Sequence, residues 1–126
     1  MQAAFAEAEA AAARGEVPVG AVIVIGGKVV ACAGNRTEEL SDPTAHAEML
    51  ALRAAAASEK SPRLPEADLY VTLEPCAMCA GAISFARIRR VYFAAYDPKG
   101  GAVDHGPRFF AQSTCQHSPE VIGGMD

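Results

Sequence analysis

Two short motifs constrain this chain more than anything else in it: His46-Ala47-Glu48, and Pro75-Cys76-Ala77-Met78-Cys79 thirty residues on. Each follows an extended or turn segment and opens a stretch with helical composition. Cysteines three apart on a first helical turn lie on one face, so both sulfurs reach one ion. The unpaired N–H groups of a helix start also favour thiolate. Two thiolates and an imidazole are a three-ligand set of borderline softness, which suits Zn2+ and leaves a fourth tetrahedral position for water.

Glu48 lies two residues from His46, about 200° away around a regular helix, so the two are not expected side by side on a metal. A carboxylate beside the metal can instead take a proton from the bound water, whose pKa zinc lowers to about 7. Each motif alone is weak. A histidine at a helix start is more often a cap or core residue, and Cys-x-x-Cys also occurs as a redox pair or half a zinc knuckle. A knuckle would need a second half-site, and no other Cys or His pair has ligand spacing. A thioredoxin-like site would follow the first strand and give His-x-Glu no role. Together, H-x-E followed by P-C-x-x-C is the signature of zinc-dependent base deaminases.

Residues 3–14 read as an alanine-rich helix closed by Gly15. Two β-branched runs, 19–25 and 28–33, meet at Gly26-Gly27, a two-residue hairpin signal. Asp42-Pro43-Thr44 supplies a turn and an N-cap for a helix over 45–58, and a loop with two prolines follows. Residues 68–73 form a third strand, and Pro75 suits the start of a third helix running to about Arg87. A fourth strand over 91–95 precedes the breaker Asp97-Pro98-Lys99-Gly100-Gly101; Val121-Ile122 is a strand stub. Helices alternating with strands after an opening hairpin imply a three-layer α/β/α fold around a mixed sheet of about five strands. With no repeat or linker in 126 residues, a single domain over 1–126 is expected.

A hydrophobic fraction of 51% excludes a disordered chain. The apolar runs are too short to span a bilayer, and the N-terminus lacks a signal peptide's basic segment, so a cytoplasmic location is expected. Cys32 reads as a small buried hydrophobe in a strand. Cys115, His105 and His117 carry no assigned role, and Phe109-Phe110 favours packing over base stacking. The net charge of −4 argues against generic nucleic-acid binding, but it is uneven. Residues 86–108 hold five basic and two acidic side chains, against six and eleven over 1–85. Arg87, Arg89, Arg90 and Lys99 are therefore candidate phosphate contacts, with a solvated face as the alternative.

From residue 16 to 99 the chain resembles the cytidine-deaminase-like superfamily, and within it the bacterial tRNA-specific adenosine deaminases. The likeness lies in Glu16-Val17-Pro18-Val19-Gly20-Ala21, Gly34-Asn35-Arg36, Asp42-Pro43-Thr44-Ala45-His46-Ala47-Glu48, and the run from Leu69 through Glu74-Pro75-Cys76 to Ala82. The resemblance implies that His46, Cys76 and Cys79 bind one zinc per chain and that Glu48 shuttles protons. It implies that Asn35 hydrogen-bonds the purine, that Val17, Pro18 and Ala47 line the pocket, and that Asp97 lies near the ribose. The substrate it implies is the wobble adenosine of an arginine tRNA anticodon loop, converted to inosine by a homodimer. Family members usually continue past Val121-Ile122 into a basic helix packed on the core; no such helix is expected here, which would leave the sheet face beneath it uncovered.

The same metal motif serves deaminases of free guanine or cytosine, and an engineered relative could act on deoxyadenosine in single-stranded DNA. A zinc-bearing, catalytically dead RNA-binding subunit would lack the shuttle carboxylate, and Glu48 is present.

Overall fold

The computed structural model describes residues 1–125. Helix α1 spans Gln2–Ala13, and Gly15 beyond it has φ +84°, the left-handed residue expected to end it. Strands β1 (Gly20–Ile25) and β2 (Lys28–Gly34) form the predicted hairpin, with φ positive at both Gly26 and Gly27. Then come α2 (Ala47–Glu59), β3 (Ala67–Leu73), α3 (Ala77–Phe85), β4 (Arg90–Ala95), a 3-10 turn at Phe109–Ala111, and β5 (Glu120–Ile122). The sheet order is β2-β1-β3-β4-β5, antiparallel up to β3 and parallel beyond it. This is the five-stranded mixed sheet anticipated.

The strand period of two sorts the layers. Ala21, Ile23, Leu69, Val71, Val91 and Phe93 point to one face and pack in a single buried cluster with Ala51 and Leu52 of α2 and Ile83 of α3. The opposite face carries α1. There Gly20 and Gly34 are cross-strand partners, and a Cβ on Gly34 would stand 2.7 Å from the Glu7 carbonyl oxygen. Glycine at both positions lets an alanine-lined helix lie directly on the strands. Farther along that face Tyr70 and Tyr92 stack at 4.5 Å and remain half-buried.

Three local expectations need correction. Thr44 does not cap α2: the Asp42 carboxylate accepts the Thr44 N–H at 2.8 Å in a tight turn, which delays the helix until His46 takes the N-cap position. Pro75 stands before the N-cap Cys76, outside α3. That helix stops at Phe85, and Arg87 turns left-handed at φ +60°. Cys32 is exposed, because strand alternation puts it on the α1 side at the sheet's edge. No helix among the described residues is long and apolar enough to cross a membrane.

Candidate active site

The two motifs meet where α2 and α3 begin. His46 and Cys76 are both N-cap residues with extended backbone, at ψ 153° and 175°. In that conformation a side chain leaves the helix axis and points across its open end. His46 Nδ1 lies 3.6 Å from the sulfur of Cys76 and 3.6 Å from that of Cys79, and the three donor atoms lie within 4.8 Å of one another. A tetrahedral Zn2+ with ordinary Zn–S and Zn–N lengths sets its S and N ligands about 3.6 Å apart, so the residues fit that ion.

Electrostatics point the same way. The Cys76 thiol is drawn down to about 5, chiefly by the hydrogen bond from Cys79, with the Cys79 N–H and His46 adding to it. Cys79 is pushed up, because it is the donor to Cys76 and is desolvated. Without a cation only one of the two sulfurs can hold charge comfortably. A divalent ion between them removes that conflict.

Glu48 is 4% exposed and is not among the clustered donors. Burial pushes its carboxyl up to about 7, and the Cys76 thiolate adds to this against the pull of its own N–H and of His46. It is therefore a group that can hold and release a proton. Because His46 is an N-cap residue, the 200° helical separation does not apply between the two, and both line one cleft of about 280 Å3. That volume is near the small end of ligand sites and suits one base. Val17, Val19 and Leu73 supply its apolar walls; Asn35, Glu74, Asp97 and Gly100 complete it.

Asn35 is buried, and its Oδ1 accepts the Ala47 N–H at 2.7 Å. Nδ2 is left as the donor Asn35 offers. Ala47 touches Asn35 through that backbone bond, and neither it nor Pro18 is among the lining residues. Lys99 is exposed on the loop beside Asp97. Arg87, Arg89 and Arg90 lie at the opposite end of β4, about 20 Å away along a strand of that length. Their guanidiniums meet Ser84 O, Asp68 and Glu120 respectively.

Sequence reasoning gave no role to Glu74, His105 or Glu16. Glu74 accepts four backbone N–H groups and the His105 ring. Glu16 accepts the N–H groups of Glu38 and Glu39 at 3.1 and 2.8 Å. The available signal was a glutamate at the end of an apolar strand and another just after a helix stop. His117 Nε2 meets Ile88 O at 2.7 Å, and Cys115 donates to His117 O. Phe110 packs against the core and Phe109 against Gly81.

A His-Cys-Cys metal set with a buried carboxylate beside it, in a base-sized cleft of an α/β/α fold, defines a zinc-dependent deaminase. The zinc-binding region of cytidine and deoxycytidylate deaminases matches residues 1–95. A tRNA-specific adenosine deaminase of Agrobacterium fabrum is 60% identical over 99% of this chain and 82% of its own length. The Bacillus subtilis protein of that name is 44% identical over 99% of this chain and 78% of its own. A solved structure from work on A-to-I editing by tRNA:A34 deaminases superposes with a TM-score of 0.97 at 60% identity, covering 98% of this chain and 95% of that one. The chain belongs to the zinc-binding deaminase family and, within it, to the tRNA-specific adenosine deaminases.

Proposed function

We propose that this chain converts adenosine to inosine at the wobble position of a tRNA anticodon, with an arginine tRNA as substrate. One observation carries the chemistry: His46, Cys76 and Glu48 border a single cleft sized for one base, and the wholly buried Cys79 completes the donor set with His46 and Cys76. The relatives' names support a tRNA adenosine as substrate, the A34 deaminase structure supports the wobble position, and the arginine tRNA follows from the family resemblance. Zinc held by His46, Cys76 and Cys79 supplies Lewis acidity that makes water nucleophilic near neutral pH.

Val17, Val19 and Leu73 hold the adenine ring, and Asn35 Nδ2 donates to a ring acceptor. Pro18 and Ala47 shape that wall through the backbone, and Asp97 faces the ribose. Glu48 takes a proton from the attacking water, passes it to N1, and then helps protonate the departing amine, so water and adenosine leave as inosine and ammonia. An anticodon loop presents its base unpaired, so extrusion costs little. Lys99 contacts a loop phosphate beside the cleft; Arg87, Arg89 and Arg90 are more distant contacts.

The family resemblance carries the remaining expectations, a cytoplasmic location and a homodimer. The test is inosine formation on an arginine tRNA anticodon stem-loop. Turnover of guanine or cytosine, with none on the stem-loop, would overturn the tRNA assignment.

A further inference from the structure

Asp97 and Gly100, which line the cleft, belong to a loop, 97–105, that has no regular secondary structure. Such a loop needs something other than a ladder to fix it. Here one carboxylate supplies most of the fixing, beside backbone bonds from the Ala102 N–H to Pro75 O and from the Gly101 N–H to Asp97 O, both at 2.9 Å. Glu74 closes the apolar strand β3, and its side chain is fully buried. Oε1 accepts the Asp97 N–H at 3.0 Å and faces His105 Nδ1 at 2.8 Å. Oε2 accepts three successive N–H groups, from Val103, Asp104 and His105, at 3.1, 2.8 and 3.1 Å. The loop thus wraps the carboxylate as a backbone nest wraps an anion.

Closeness of fit is visible at Gly101. A Cβ there would stand 2.5 Å from Glu74 Cδ and 2.5 Å from the Asp97 carbonyl oxygen. Asp97 is in turn locked: its Oδ1 accepts the N–H groups of Lys99 and Gly100 at 3.1 and 3.0 Å. A chain of hydrogen bonds therefore runs from Glu74 through the Asp97 backbone to the Asp97 carboxylate on the cleft.

We propose that Glu74 is the positioning residue of the substrate cleft, holding the 97–105 loop so that Asp97 and Gly100 meet the nucleotide in one fixed arrangement. It contributes to binding geometry and not to proton transfer, since all its oxygen valences are spent on the loop. The proposal rests on the deaminase assignment for its kinetic readout, and a second readout is independent of it.

The test compares Glu74→Gln, Gly101→Ala and His105→Ala with the unaltered protein, each loaded with zinc. Glu74→Gln replaces one acceptor with a donor facing the N–H groups. Gly101→Ala keeps the carboxylate and pushes the loop off it, which keeps the proposal testable if the first variant does not fold. Both should lower kcat/KM on the anticodon stem-loop on the order of ten- to a hundredfold, mostly through KM, with zinc near one per chain. His105→Ala, which leaves the four N–H donors, should raise KM about two- to threefold. Amide hydrogen exchange at 103–105 should quicken in the first two variants while α2 and α3 keep their protection. Unchanged exchange there, a loss confined to kcat, or a loss that tracks zinc content would each overturn the proposal. If the unaltered protein makes no inosine, the substrate assignment fails, and the exchange result still decides the role of Glu74.

Discussion

Glu48 and Glu74 are 4% and 2% exposed and line the same cleft, yet their surroundings drive their carboxyl groups in opposite directions. Glu48 has few donors, and burial lifts it to about 7. For Glu74 burial also pushes upward, but the Asp97 N–H, His105 and the other loop N–H groups outweigh it, and the carboxyl is lowered. Burial alone therefore does not set a carboxylate's role. The count of fixed donors does: a group left short of them can trade a proton, and a group saturated with them can only hold a shape.

The contrast breaks most completely where the metal set is lost. Replacing Cys79, which is wholly buried, by Ala should take zinc from about one per chain to near zero and turnover to background; metal analysis beside an inosine assay checks this. Retained zinc in that variant would mean the three donors do not act together. Glu48→Gln should be nearly as damaging to turnover, lowering kcat by about 10²–10⁴-fold, while zinc stays near one per chain. Substantial activity in Glu48→Gln would remove it as the proton carrier.

Glu74 should reveal itself in stability against pH. Its folded pKa lies below the ordinary carboxylate value, so its contribution is complete above about pH 4.5. That contribution falls away as pH drops through the lower folded value. The stability gap between the unaltered protein and Glu74→Gln should then be level from pH 5 to 7 and narrow in more acid solution, as urea melts would measure. A gap that stays constant to pH 3 would mean the carboxylate's charge does not hold the loop.

The clustered donors His46, Cys76 and Cys79 were legible in the sequence because a metal set depends on residue type at fixed local spacing, and the Glu48 carboxylate stands buried close by them in the chain. Strands with alternating burial and a Gly-Gly turn were equally plain. What escaped was long-range. Glu74 gathers donors 23 to 31 residues away, and no local pattern announces that closure. The N-cap of α2 slipped by two positions because Asp42 spends its side chain on Thr44, leaving His46 to begin the helix. Cys32 was misjudged because apolar runs do not say which strand will be an edge, and β2 is one.

The basic segment gives the smallest effect and the finest comparison, between Lys99 beside the cleft and Arg89 at the far end of β4. Arg89 spends its guanidinium on both oxygens of Asp68, at 2.9 and 2.7 Å. Lys99 makes none of the ion pairs found among the described residues. A phosphate must compete with Asp68 for the arginine but only with water for the lysine. Lys99→Ala should therefore weaken stem-loop binding a few-fold and reduce the slope of log K against log salt by about 0.7, one single-strand phosphate. Arg89→Ala should change that slope less. The reverse order, measured by a salt titration of both variants, would place the RNA backbone at the far end of β4 and detach it from the wall that Glu74 holds.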